Sequence, residues 1–248
     1  MQEEKVFNRK TIHTSIIVIS IVVILIIVGF IMLRYSVQGE RNLPFVIEQI
    51  DIISTAAIGN VQRNEEGIWY AKLFQKNDIY FYIVKNNEYR GEETIRSVIF
   101  ENFQIEKYND KGVAILYRQY DVAIYQYTEE FVINDRLEYT GGIRTNTREL
   151  QINNQGGLIG FSLVIKELGE HAFNIGETFE TDGTLLARIG VSSEDIELIF
   201  SFDIVIELGS GNRFRAGHRI ELPAGNILEE GMVHREITGL SSLVFRRD

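Results

Sequence analysis

The chain has 248 residues, 45% of them apolar and 24% charged, with a formal net charge of −10, two prolines and no cysteine. This composition excludes a disordered chain, a collagen-like repeat and a disulfide scaffold. Without thiols there is no thiolate nucleophile, Cys-ligated zinc or iron–sulfur cluster, and an acidic balance opposes nucleic-acid binding, which needs a basic footprint.

Residues 16–33 (IIVISIVVILIIVGFIML) form an uncharged apolar run interrupted only by Ser20 and Gly29. At 1.5 Å per residue the run covers about 27 Å, close to the hydrocarbon thickness that one helix must cross. A cleavable signal peptide is the rival reading. Its apolar region is about 7–15 residues long and ends in small residues, whereas RYSVQGER follows here. The expectation is therefore a cytoplasmic tail over 1–15, a retained transmembrane helix over 16–34 and a short linker over 35–44. Lys5, Arg9 and Lys10 precede the run and Arg34 and Arg41 follow it, which places the N-terminus inside. Four basic and two acidic residues precede position 35, so the remainder carries −12 and has no polybasic patch to hold it against an anionic leaflet. The chain reads as a single-pass plasma-membrane protein with an extracytoplasmic body. The ten-residue linker reaches at most about 35 Å, keeping the body near the bilayer.

The body reads as all-β. Short segments rich in Ile, Val, Tyr and Phe lie at 45–54, 68–74, 78–84, 95–105, 113–117, 122–127 and 131–134, separated by turn-formers such as KND, KNNEYRGE and NDKG. Further strands are expected at 150–153, 158–166, 196–208 and 214–222, and SSED (192–195) suits a single capped helical turn. Val113-Ala114-Ile115 and Val122-Ala123-Ile124 echo one another at hairpin spacing. All eleven tyrosines lie at or before Tyr139, and fifteen of twenty-one glycines lie at or after Gly141. That shift, at the polar stretch 139–150, predicts two β-sandwich-like domains, a Tyr-rich one over 45–140 and a Gly-rich one over 147–248; the alternative is one large β-sandwich. Within 200–222, pairing Leu208 with Phe214 places Glu207 opposite Arg215 and Asp203 opposite Arg219, two couples of opposite charge, and this register is preferred over one that sets Leu208 against Asn212.

No catalytic constellation emerges. Gly209-Ser210-Gly211 and Gly239-Leu240-Ser241 do not make a nucleophile elbow, the four histidines are scattered, and there is no EF-hand, P-loop or G-x-G-x-x-G. Glu167, Glu170 and His171 contain ligand-type atoms, but Gly169 breaks any helix that would align them, and no metal site or cofactor is expected. His218, on an inward strand face, reads as structural. The pairs Glu65-Glu66, Glu92-Glu93 and Glu129-Glu130 read as solvated loop charges. Two features are candidate binding residues. Arg213, Arg215 and Arg219 line the outward face of one strand, where guanidinium forks suit carboxylates and phosphates, unless Glu207 and Asp203 occupy them. Trp69, the single tryptophan, is a core anchor or a stacking platform. The functional expectation is a membrane-anchored β protein with a structural, protein-binding or self-assembling role. The alternatives are an exported cell-envelope hydrolase using carboxylates, and an accessory or sensory subunit of a membrane complex.

Overall fold

The computed structural model describes residues 9–40, 42–119, 131–143, 150–174, 183–223, 225–240 and 243–248. It forms two compact units, Met1–Arg41 and Asn42–Asp248. The first contains one helix, α1 (Arg9–Gln38), longer than the expected 16–34. Within it His13–Tyr35 is long and apolar enough to cross a membrane, and none of that stretch is buried against protein. At 1.5 Å per residue its 23 residues span about 34 Å.

The second unit is all-β. In chain order it contains β1 (Phe45–Arg63), β2 (Trp69–Lys85), β3 (Ile95–Lys107), β4 (Val113–Arg118), β5 (Arg136–Gly142), β6 (Gln151–Asn153) and β7 (Gly157–Phe173). Two short helices follow, α2 (Thr184–Arg188) and α3 (Ser193–Ile196), then β8 (Leu198–Leu208), β9 (Arg213–Leu222), α4 (Ile227–Glu230), β10 (Met232–Ile237) and β11 (Arg246–Arg247). The strands make two sheets, sheet A in the order β10-β1-β2-β7-β4 and sheet B in the order β11-β9-β8-β3-β5-β6. Neighbours pair antiparallel except β5 and β6, which are parallel.

The sheets face each other across an aromatic layer. Phe81 and Phe161 of sheet A meet Phe100, Phe200 and Phe202 of sheet B, with centroid distances of 4.8 Å for Phe81–Phe100 and 5.6 Å for Phe161–Phe202. Such tilted and edge-on pairs are the favoured aromatic geometries. At one end Leu185, Leu186, Ile196 and Ile227 of the short helices join the same core. The hydroxyl of Tyr139 in sheet B donates to the Gly160 carbonyl in sheet A, and burial pushes this phenol up to about 12.

Strands of 45–140 and of 147–248 are hydrogen-bonded neighbours inside both sheets: β2 pairs with β7, and β3 pairs with β8. The two segments therefore do not form the separate sandwiches expected of them. Tyr139–Gly142, at the start of the polar stretch 139–150, lies within β5, where a side chain on Gly141 would overlap the Ile95 carbonyl. The segments 68–74 and 78–84 run on as one strand, β2, because Asn77 between them finds partners inside the sandwich while Lys76 and Asp78 pair with each other on the other face. Asn77 is fully buried; its Oδ1 accepts from Ser54 Oγ at 2.6 Å and from Gln75 Nε2 at 3.0 Å, and its Nδ2 donates to the Leu163 carbonyl at 3.3 Å. Satisfied in this way, a turn-forming asparagine costs the strand little. The expected strand 131–134 is reduced to an isolated bridge between Val132 and Tyr117. The expected strand 122–127, and the hairpin built on it, lie outside the described residues.

The hairpin of β8 and β9 takes the other register. Ile206 pairs with Phe214, Glu207 with Arg213, Val205 with Arg215 and Asp203 with Gly217. The turn decides it. The Leu208 N–H donates to the Asn212 carbonyl and the Gly211 N–H to the Leu208 carbonyl, both at 2.9 Å, closing a three-residue loop with Gly211 at φ +87°. This hairpin needs a left-handed residue at that position, which glycine supplies without strain. The two registers differ by two residues, so the inward faces are unchanged: Phe202, Ile204 and Ile206 still meet Phe214, Ala216 and Ile220 over the core.

α3 carries the expected cap. The Ser192 N–H donates to Asp195 Oδ2 at 2.7 Å, and Asp195 also accepts from Asn109 Nδ2 at 2.8 Å and Lys111 Nζ at 3.1 Å. These contacts tie the β3–β4 turn to the helical end of the sandwich. The Ser192 N–H first, then Lys111 and Asn109, outweigh burial and hold the Asp195 carboxyl down at about 2.

Candidate functional site

β9 presents its arginines on the outer face of sheet B, as the alternation of the strand requires. Arg215 is a hub. Its guanidinium lies 2.7 Å from Glu101, 3.0 Å from Asp203 and 3.0 Å from Asp248, with a second bond from Nε to Asp248 at 3.2 Å. The Asp248 bond and the other two carboxylates keep it protonated against the cost of burial, and Arg215 in turn holds Asp248 below its ordinary value. Arg213 reaches the same Asp248 at 3.5 Å, and Glu207 turns instead to Arg96 at 3.0 Å. Beneath this lattice Val205 and Ile99, on the outward side of the sheet, are almost inaccessible. Arg219 differs: exposed, opposite Ser201, it has no carboxylate within ion-pair distance among the described residues. The structure thus separates the arginine trio into two paired members and one open one.

Arg219 stands beside a shallow depression of about 560 Å³ over Ser201 and Gly217, with Asn102, Gln104 and Asp203 around it. The depression coincides with a bulge in β3, where Asn102 and Phe103 together oppose one residue of β8 and Asn102 takes φ +57°. Bulges re-aim side chains in this way. Here Asn102 Nδ2 is directed to Asp203 at 2.8 Å. His218 faces inward opposite Phe202, with ring centroids 5.9 Å apart; among the described residues its buried Nε2 has no partner, and burial pushes the imidazole down, favouring the neutral ring.

Trp69 is not a core anchor. It sits at the far end of β2, half-buried, opposite Arg63 and Phe173 and outside the cluster of buried core residues. The Arg63 guanidinium stands 6.0 Å from the ring centroid, and the indole Nε1 is buried with no acceptor among the described residues. Bulges at 59–60 in β1 and 166–168 in β7 set this distal part of sheet A apart from the sandwich proper.

Among the described residues the other polar groups do not assemble into a catalytic or metal-binding set. Ser162 Oγ donates to Asp78 Oδ1 at 2.5 Å, and Lys76 Nζ lies 2.6 Å from the other oxygen of that carboxylate; His234 approaches a different acid, Asp51, at 3.4 Å. A serine bonded to a carboxylate with no histidine beside it lacks the general base of a nucleophilic site. Burial pushes Asp51 up, but hydrogen bonds from Gln49, Tyr82 and His234 outweigh it and leave the carboxyl below its ordinary value. Glu170 and His171 are consecutive strand residues and point to opposite faces, and among the described residues no three His, Asp or Glu side chains are grouped to hold a metal. Glu65 and Glu66 are exposed in the β1–β2 turn, and Glu129-Glu130 lies outside the described residues. A second depression, about 550 Å³, opens between the ends of β9 and β10 and is edged by Glu197, Glu221, Arg235 and Glu236.

No family model, no curated protein and no solved structure matches the chain.

The hub at Arg215 was only half legible in the sequence. Asp203 was read as a cross-strand neighbour of the arginines, but Glu101 and Asp248 reach the same guanidinium from 114 residues upstream and 33 downstream, through sheet order that no local pattern encodes.

Proposed function

We propose that the protein is a single-pass membrane protein in which α1 anchors the body, Asn42–Asp248, as a non-catalytic β domain for recognition or assembly outside the cytoplasm. The observation that carries this reading is α1. Over His13–Tyr35 it is apolar on every side and unburied, where a water-soluble helix would show one apolar stripe packed on protein. The body meanwhile buries a core of its own without disulfides, so that α1 is free to serve the bilayer. The flanking charges, Lys5, Arg9 and Lys10 against Arg34 and Arg41, orient the N-terminus inward. Support for recognition over chemistry comes from the outer surface, where the described residues present ion-paired side chains beside shallow depressions and bring no acid, base and nucleophile together.

The test is extraction and size. The full chain should stay in the membrane pellet through alkaline carbonate washing and should keep its first residues, whereas a variant lacking residues 1–41 should be soluble. Release of the full chain by carbonate, or a mature N-terminus beyond residue 35, would overturn the anchor.

A further inference from the structure

We propose that the depression over Ser201 and Gly217 on the outer face of sheet B is a saccharide-binding trough, with Asn102, Gln104 and Arg219 as its hydrogen-bonding walls. The solvated face of a sheet is ordinarily carpeted by side chains at every second residue. Here that carpet is missing over two diagonal neighbours. Gly217 stands opposite Asp203, and Ser201 stands between Arg219 of β9 and Gln104 of β3, so the floor is backbone. A Cβ on Gly217 would meet only Asp203 Oδ1, at 3.3 Å. The β3 bulge sets Asn102 at the rim, and its bond to Asp203 fixes the amide.

The chemistry of the lining selects the ligand class. Ser201 and Gln104 each both donate and accept, Arg219 offers a fork of donors, and Asp203 accepts, which matches vicinal hydroxyls that themselves donate and accept. Formal charge in the lining cancels between Arg219 and Asp203, while Glu101 and Asp248 lie just beyond, so the trough suits a neutral ligand over an anion. An open, shallow depression of this kind accommodates a segment of a polymer as readily as a free end. The inference goes beyond the anchored-recognition reading, and because it concerns binding alone it stands or falls separately from the anchor.

The experiment is binding of maltotriose and chitotriose, with trigalacturonate and inorganic phosphate as anionic probes, to the full chain in a zwitterionic detergent, since glycoside detergents would compete. At least one neutral trisaccharide should bind with a Kd of about 1 mM, the range of shallow sugar sites with few immobilised contacts. Arg219→Ala should weaken it about tenfold, the effect of one lost charged hydrogen bond, and Gly217→Leu should abolish it by filling the floor, with the melting temperature unchanged. Arg219 is exposed, so its variant folds even if Gly217→Leu does not. No binding of either neutral probe up to about 10 mM, binding that survives both substitutions, or binding of the anionic probes alone would each overturn the proposal.

Discussion

Phe100 of sheet B and Phe161 of sheet A meet edge to face, their ring centroids 5.1 Å apart. One residue comes from the Tyr-rich half of the body and the other from the Gly-rich half, so a single contact joins the two sheets and the two sequence segments. Removing either ring should cost about 3–5 kcal/mol, and the double substitution should show about 0.5–1.5 kcal/mol of coupling. Calorimetry of the body should give one cooperative transition in which both halves melt together; two resolved transitions would contradict a shared core.

Arg215→Ala should destabilise the body by about 1–3 kcal/mol, more than an ordinary exposed pair, because it leaves Glu101, Asp203 and Asp248 facing one another without their shared cation. Replacing Asp203 as well should recover part of that loss. Chemical denaturation of the four proteins of this cycle measures it, and strict additivity would mean that the hub is not a unit.

Gly211→Ala should cost about 1 kcal/mol, since the loop holds this residue at φ +87° while nothing stands within 4 Å of an added Cβ. The substitution therefore isolates backbone strain from crowding, and a neutral result would contradict the three-residue loop.

That turn also explains what the sequence conceals. The alternation of Phe202, Ile204 and Ile206 made the strands and their inward faces legible, because burial of these side chains is worth several kcal/mol and leaves a period-2 signature. The register rested on charge pairs worth a fraction of a kcal/mol, and the positive φ required of Gly211 outweighed them. Lys76-Asn77-Asp78 looked like a turn because the partners that satisfy Asn77, Ser54 and the Leu163 carbonyl, lie on other strands. Gly141, where the composition changes, is a strand residue that approaches Ile95 closely and not a domain boundary, and sheet order, which interleaves the two halves, has no local signal. Arg219 was picked out by its residue type, whereas the depression beside it depends on a bulge that only the pairing of β3 with β8 reveals.

His218 has an imidazole pushed down by burial, so between its unfolded and folded values the unfolded chain binds the proton more readily. Stability should therefore be fully present above the unfolded value, near pH 6.5, and fall as the pH drops below it. His218→Leu should flatten this fall between about pH 7 and pH 5, read as melting temperature. A wild-type melting temperature that rises on acidification would contradict a neutral buried ring.

Asp195 titrates in a different window. Its folded value, about 2, lies below the ordinary aspartate value, so its contribution is present above about pH 4 and is lost as the pH falls toward 2. Asp195→Ala should cost about 1–2 kcal/mol at neutral pH and progressively less as the pH is lowered through that window. An equal penalty at pH 7 and pH 2 would mean that packing, and not the charge, holds the β3–β4 turn to α3.

The central claim is that a membrane helix separates a cytoplasmic N-terminus from an outside β body, and the absence of cysteine makes it directly measurable. Single cysteines at Gln2, in the N-terminal tail, and at Ser210, exposed in the β8–β9 turn, give two reporters for a membrane-impermeant maleimide. In intact cells Ser210→Cys should label fully, while Gln2→Cys should label only after permeabilisation. The reverse pattern, or labelling of both sites in intact cells, would contradict the account.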